Sequence, residues 1–242
     1  MPLDNKITVA VIMFGVGLLI LFLLWPGNRQ GVRLLRRWGI AEPTEQDVAD
    51  AVRYLRRRRF WYPWLFLFIP TIAATGFTIT NGDGNTAWGF VGTVLFGSLL
   101  AEILAQRPSR GAQRSALLTQ RGILDFVPRW ALIVFGIATV AAVLRLAMLG
   151  QPLVLAAALV VTGLAWLIVL LAVRRPSVGR PEVDLALRTR SARVAVGLGI
   201  AAPASLAGEA SNLPGALFLV LSVVAFIAIA QPDRRRTLAS TG

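Results

Sequence analysis

Seven runs of apolar residues alternate with shorter polar, arginine-rich segments along this chain of 242 residues. A helix needs about 20 apolar residues to cross the roughly 30 Å hydrocarbon core of a bilayer, and these runs reach or approach that length. The runs lie at 7–25, 60–80, 86–105, 130–148, 153–173, 194–208 and 213–230. The pattern predicts an all-α fold, a polytopic transmembrane helix bundle of about seven spans that forms a single transmembrane domain over residues 1–242.

The sixth run is the weakest of the seven. Its length of about 15 residues falls short of the hydrocarbon core, and Pro203 interrupts it. We expect a helix that is bent or that crosses only part of the bilayer. Its small residues Gly197, Gly199, Ala201 and Ala202 leave two interpretations, an ordinary structural bend or a cavity of the kind that bent helices open in transporters.

Basic residues fall on alternate connections between the runs. Of the 25 Lys and Arg, nine lie within 27–59, five within 107–129, six within 174–193 and three at 234–236. Because arginine-rich loops stay in the cytoplasm, the N-terminus is predicted outside and the C-terminus inside, with Trp25 at a cytoplasmic interface. After the first span, the chain divides into three hairpins with similar endings, which either an internal repeat or convergence on an interfacial helix end explains.

The connection 27–59 has its own predicted structure. Thr44 followed by Asp47 resembles a capping box, and apolar residues recur at helical spacing after it, which predicts a helix from Glu45. Upstream, Val32 and Trp38 belong to a set of apolar residues interleaved with arginines. That pattern suits a short amphipathic helix on the inner membrane surface.

The arginines of this basic cytoplasmic connection have two interpretations. They could bind anionic lipid headgroups or an acidic partner, or they could serve only to hold the spans in one orientation. The candidate contact residues are Arg33, Arg36, Arg37, Arg56, Arg57, Arg58 and Arg59.

Composition narrows the possible chemistry. The chain is 56% hydrophobic with a mean hydropathy of +0.67, and it contains no Cys and no His. Thiolate chemistry, imidazole metal ligands and His-based catalytic dyads or triads are therefore excluded. We predict no catalytic, cofactor-binding or metal-binding residues, and we expect no nucleic-acid partner because the pI of 11.8 reflects arginines that flank the membrane.

Ionisable residues inside spans are the default functional candidates, because burying them costs free energy. Glu102 shares a helical face with Ser98, and Arg145 lies near the outer end of the fourth span. Glu102 could form a proton or cation site, or it could reach the interface and pair with an arginine. Arg145 could extend outward to the interface or pair with Glu209, but the topology separates it from Glu102.

A stripe of small residues follows one face of the third span. Gly89, Thr93, Gly97 and Ala101 recur every four residues, which allows another backbone to approach closely. The stripe predicts helix packing, either within this chain, with a membrane-protein partner or in a homo-oligomer.

The general plan resembles a known class of proteins. The chain contains 24 Arg against one Lys, and the sequence Leu-Ala-Leu-Arg-Thr-Arg-Ser-Ala-Arg-Val at 185–194 leads into a span. In this layout it is similar to uncharacterised multi-pass integral membrane proteins of high-GC Gram-positive bacteria. The resemblance implies the bacterial cytoplasmic (inner) membrane as the location and, because that class has no assigned activity, transfers no functional residue.

Together these features predict a non-enzymatic integral membrane protein, an accessory or assembly subunit of a larger membrane complex. The alternative is a small permease for an apolar or weakly polar solute, using Glu102 and the Pro203 bend. An intramembrane enzyme would need a second polar group close to Glu102.

Overall fold

The computed structural model describes most of the chain from residue 25 onward and part of the N-terminal run. The described residues are 11–12, 14–15, 17–19, 21–23, 25–61, 95, 97–103, 114–115, 122–174, 177–178, 180–207 and 213–232. Residues 62–80 of the second predicted span and 86–94 of the third lie outside this set, as does the C-terminal basic segment 234–236.

The described part of the chain is all-α apart from two short strands. Six helices have defined bounds, α1 Asn28–Arg37, α2 Glu45–Phe60, α3 Arg129–Met148, α4 Pro152–Arg174, α5 Pro181–Ala207 and α6 Leu213–Ala230. Strand β1 (Arg114–Ser115) pairs antiparallel with β2 (Ser177–Val178), and a 3₁₀ turn covers Ile123–Asp125. The described residues within 11–23 and 97–103 are helical as well. The all-α prediction is confirmed.

The predicted start of α2 is also confirmed. The backbone amide of Asp47 donates to the Thr44 hydroxyl at 3.3 Å, and the Asp47 carboxylate accepts from the Thr44 amide at 2.9 Å. This capping box supplies partners for amides that have none within the first helical turn. Glu45 is therefore the first helical residue.

Helix α1 forms where the amphipathic pattern predicts it, but its apolar face packs against other helices and does not lie on the membrane surface. Leu35 is fully buried in a cluster with Val48, Val52 and Val183, which belong to α2 and α5. Gly31 permits the close approach, because a Cβ built there would lie 2.8 Å from a Val52 methyl. Protein, rather than the membrane surface, covers this face of α1.

Two described helices, α3 and α4, are long and apolar enough to cross a membrane, and Gly215–Ala230 in α6 is a shorter apolar helix. In α3, only 28% of the most apolar 18-residue stretch is buried, and in α4 the corresponding share is 33%. Both shares are low for the core helix of a soluble protein. Three of the five buried residues of α3 are alanines, with Phe135 and Leu146 the other two, whereas large apolar residues such as Ile133 and Ile137 are exposed. Small residues inward and large apolar residues outward are typical of helices packed in lipid.

The sixth predicted run differs most from expectation. Instead of a short span over 194–208, the structure has a 27-residue helix, α5, that begins at Pro181 and continues through Pro203. At 1.5 Å per residue it is about 40 Å long. Every residue from 191 to 205 is buried, so α5 is the central helix of the bundle.

Glycines allow α5 to contact its neighbours closely. A Cβ on Gly197 would lie 2.6 Å from the Phe226 ring of α6. A Cβ on Gly199 would lie 2.7 Å from the Phe135 ring of α3 and 2.8 Å from the Ala165 Cβ of α4. At these two positions, neighbouring side chains therefore occupy the space that the small residues of the sixth run leave.

Candidate functional site

Contacts of the described residues bring parts of three of the four basic connections together at one end of the bundle. Strand pairing joins 114–115 to 177–178. An ion pair of 3.1 Å joins Arg180 to Asp47. These segments belong to connections that the charge pattern predicts on one side of the membrane, and that topology requires them to lie at the same end of the bundle.

Arg193 on α5 belongs to one of these connections and contacts the other two, together with the residue that follows α6. Its Nε donates to the Phe126 carbonyl at 3.3 Å, and its Nη1 donates to the Gln231 carbonyl at 3.0 Å. Its guanidinium carbon lies 5.9 Å from the centroid of the Trp38 ring. Arg193 is only 6% exposed, so these contacts are shielded from water.

Arg188, a second buried arginine of α5, contacts the end of helix α4. The Nη1 of Arg188 donates to the Ala172 carbonyl in the last turn of α4 at 3.3 Å, while its Nη2 lies 2.6 Å from the Asp184 carboxylate. The last carbonyls of a helix have no partner within that helix and carry partial negative charge. Central helix α5 thus supplies cations to the C-terminal ends of α4 and, through Arg193, α6.

Glu102 lies in an enclosed polar cluster that we call the Glu102 cluster, formed by Tyr54, Arg58, Glu102 and Arg190. The Glu102 side chain is fully buried, and its Oε2 lies 3.0 Å from the Nε of Arg58. Tyr54 donates its hydroxyl hydrogen to Glu102 Oε1. Arg190 donates to the Tyr54 oxygen at 2.6 Å and lies 5.3 Å from the centroid of its ring.

The surroundings of Tyr54 hold its hydroxyl in the protonated form. Burial raises the pKa of Tyr54 well above its ordinary value of 10.0, and the Glu102 carboxylate raises it further. Arg190 and Arg58 act in the opposite direction without cancelling the effect. Tyr54 therefore remains a hydrogen-bond donor to Glu102 across the physiological pH range.

The pKa of Asp47, at the start of α2, shifts in the opposite direction. Burial on its own raises the pKa of Asp47, but the hydrogen bonds with Thr44 and the contact with Arg180 outweigh burial and hold the pKa below its usual value. Asp47 is therefore ionised at neutral pH, as both of its contacts require.

The chemistry available in the Glu102 cluster is limited. Both carboxylate oxygens have partners within the chain, one a tyrosine and the other an arginine. Among the described residues, no group of three or more His, Cys, Asp or Glu is placed to hold a metal ion. The arrangement is suited to joining α2, α5 and the helical segment 97–103.

The sequence-predicted site residues are distributed as follows. Ser98 lies half-buried on the Glu102 segment, and Arg145 lies half-buried in the last turn of α3. Of the small-residue stripe, Gly97 and Ala101 are described and buried, whereas Gly89 and Thr93 lie outside the described residues. Glu209, the proposed partner of Arg145, also lies outside them.

The seven candidate arginines separate into two groups. Arg33, Arg36 and Arg37 are exposed on α1. In α2, Arg56 donates to the Pro26 carbonyl at 3.3 Å, Arg59 donates to Gln30 at 2.9 Å and Arg58 pairs with Glu102. Arg57 is half-buried. Arg56, Arg58 and Arg59 thus contact protein with their charged groups, whereas Arg33, Arg36 and Arg37 are exposed.

The sequence pattern did not point to Tyr54, Arg190 or Arg193 as site residues. The two arginines were placed in a connection because their charges end the apolar run. The sequence did contain an indication that the helix starts earlier, since the apolar residues Ala192 and Val194 lie on both sides of Arg193. Tyr54 lacked any such signal, because its partner Glu102 is 48 residues away.

Comparison with protein-family models, with curated proteins and with solved structures found no match.

Proposed function

We propose that this chain is a seven-span protein of the bacterial cytoplasmic membrane, with the N-terminus outside and the C-terminus inside. Its function is that of a non-enzymatic accessory or assembly subunit of a larger membrane complex. The outward faces of α3, α4 and α6 supply the surface for lipid and partner helices. Met148, Leu153 and Leu213 on these helices are 88%, 66% and 74% exposed.

The enclosure of Glu102 is the observation that carries this proposal against the permease alternative. A proton-coupled permease needs an ionisable group that water or solute reaches at some stage of transport. Glu102 is fully buried and engaged by Tyr54 and Arg58, and α5 is packed along its length by neighbouring helices. These contacts favour a structural role for Glu102 and a protein that works through association.

Purification of the tagged full chain from its native membrane in a lipid-preserving particle tests the proposal. We expect one or more partners at reproducible stoichiometry by mass spectrometry, absent from a parallel preparation of an equally abundant, unrelated membrane protein. Recovery of the chain alone, together with solute transport by that preparation in liposomes, would contradict the proposal.

A variant pair separates the two functions at Glu102. Glu102→Gln removes the charge that faces Arg58, and Asp50→Asn removes a charge from the surface ion pair with Arg53. For an accessory subunit, Glu102→Gln lowers thermal stability while partner recovery persists at permissive temperature, and Asp50→Asn changes neither. A pH-dependent flux that Glu102→Gln alone abolishes would instead support the permease.

A further inference from the structure

Four arginines form a continuous exposed stripe on α1, which we call the α1 stripe. It consists of Arg29, Arg33, Arg36 and Arg37. At 3.6 residues per turn these positions fall within about 100° of the helix circumference. The buried residues Gly31 and Leu35 lie on the opposite side.

The stripe differs from Arg56, Arg58 and Arg59 of α2, which contact other described residues. Within the described part of the chain, none of its four side chains makes a hydrogen bond or an ion pair, and all four are exposed. By contrast, Arg56 donates to the Pro26 carbonyl just before α1, and Arg59 donates to Gln30 in the first turn of α1. The stripe is thus an exposed surface of positive charge with which no carboxylate of the described residues pairs.

The chain segment before α1 fixes the depth of the stripe. Phe22 and Leu23 at the end of the N-terminal helical run are 81% and 70% exposed, as expected for lipid-facing residues. Trp25 follows, 45% exposed and 5.7 Å from the guanidinium carbon of Arg56. Since α1 begins at Asn28, its first residue is only five positions after Leu23 in the chain.

We infer that the α1 stripe binds the anionic headgroups of phospholipids in the cytoplasmic leaflet. Tryptophan favours the headgroup level, so a rigid helix that starts three residues after Trp25 lies at the depth of the lipid phosphates. Arginine donates paired hydrogen bonds to phosphate oxygens. This inference rests on the proposed membrane placement, but it is independent of whether the chain has a protein partner.

Native mass spectrometry of the full chain in a non-ionic detergent tests the stripe. The chain is titrated with phosphatidylglycerol and, separately, with phosphatidylcholine. A stripe variant carries Arg33→Gln, Arg36→Gln and Arg37→Gln. A control variant loses the same charge at three exposed arginines elsewhere, through Arg53→Gln, Arg129→Gln and Arg174→Gln.

We expect the stripe variant to bind phosphatidylglycerol at least about fivefold more weakly than the unmodified chain, with phosphatidylcholine binding unchanged. The control variant is expected to stay within about twofold of the unmodified chain, since scattered charges do not form one binding surface. Equal losses in both variants, or no loss in the stripe variant, would overturn the inference.

A flotation control separates this inference from the proposed function. Reconstituted chains of all three kinds are centrifuged through a density gradient with their vesicles after carbonate washing. Failure of the unmodified chain to float would refute the membrane placement itself. Flotation together with unchanged phosphatidylglycerol binding in the stripe variant would refute the lipid site alone. Loss of a co-purifying acidic protein from the stripe variant, with lipid binding intact, would likewise refute the lipid site.

Discussion

Buried arginines in this protein are directed at carbonyl oxygens. A guanidinium in an apolar interior is costly unless its donors are satisfied. Arg188 and Arg193 meet this requirement with carbonyls at or just beyond the ends of α4 and α6, which lack partners within their own helices. Each contact therefore satisfies a buried donor and a helix end together.

Arg193→Met tests this role at a single position. The change keeps the approximate length of the side chain but removes the donors to the Phe126 and Gln231 carbonyls. We expect the free energy of unfolding to fall by about 2–4 kcal/mol, because two charge-assisted hydrogen bonds are lost. Arg174→Met, at an exposed position in the last turn of α4, is the matched control. Equal stability of the two variants in a denaturant titration would rule out the bridging role of Arg193.

Tyr54 provides a pH-dependent test of the Glu102 cluster. The chain has two tyrosines, so Tyr62→Phe leaves Tyr54 as the sole tyrosine. Because the folded-state pKa of Tyr54 is raised, its stabilising contribution is complete below the unfolded value of 10.0 and is lost as pH rises through the folded value. We expect absorbance at 295 nm to show no tyrosinate until the pH is well above 10, where ionisation and unfolding coincide. A reversible midpoint near 10 in folded protein would contradict the enclosed cluster.

Local contacts were predictable from the sequence, and distant ones were not. Thr44 and Asp47 are three residues apart, so their capping box follows from spacing alone. For Glu102, the sequence allowed pairing with an arginine, and the nearest arginine along the chain is Arg107. The partner in the structure is Arg58 from another helix, which only the packing of α2 against the 97–103 segment brings within reach.

Among the described helices, α5 is the one whose start the hydropathy pattern misplaced, at residue 194 instead of Pro181. Arg188, Arg190 and Arg193 end the apolar run, so charge alone indicated a loop before residue 194. In the structure their side chains have partners, and α5 extends back to Pro181. The bounds of α3, α4 and α6 were predicted to within a residue, because no paired charge interrupts those helices.

Close packing at Gly199 is testable against a glycine in a more open position. Gly199→Ala places a Cβ 2.7 Å from the Phe135 ring and 2.8 Å from the Ala165 Cβ, so we expect a loss of about 1–3 kcal/mol in unfolding free energy. Gly136→Ala in α3 meets nothing within 4 Å, and helix propensity favours it by up to about 1 kcal/mol. Thermal unfolding of both variants measures the difference. A Gly199→Ala protein as stable as Gly136→Ala would exclude this close contact.

At the scale of the whole molecule, described parts of the basic connections fold together into a cap made by α1, α2 and the first half of α5. The alternation of charge along the sequence predicts that these connections also orient the spans. It did not reveal the cap, because the cap depends on contacts such as Arg180 with Asp47, separated by 133 residues.

The position of this cap on the cytoplasmic side is the central claim, and single-cysteine labelling in intact cells tests it most directly. The chain has no native cysteine, so each introduced thiol is unique. Leu149→Cys and Leu213→Cys mark one end of the bundle, while Arg53→Cys and Glu182→Cys mark the cap, all at exposed positions. We predict that a membrane-impermeant maleimide labels the first pair in intact cells and the second pair only after permeabilisation. Labelling of Arg53→Cys or Glu182→Cys in intact cells, with Leu149→Cys and Leu213→Cys protected, would contradict this account.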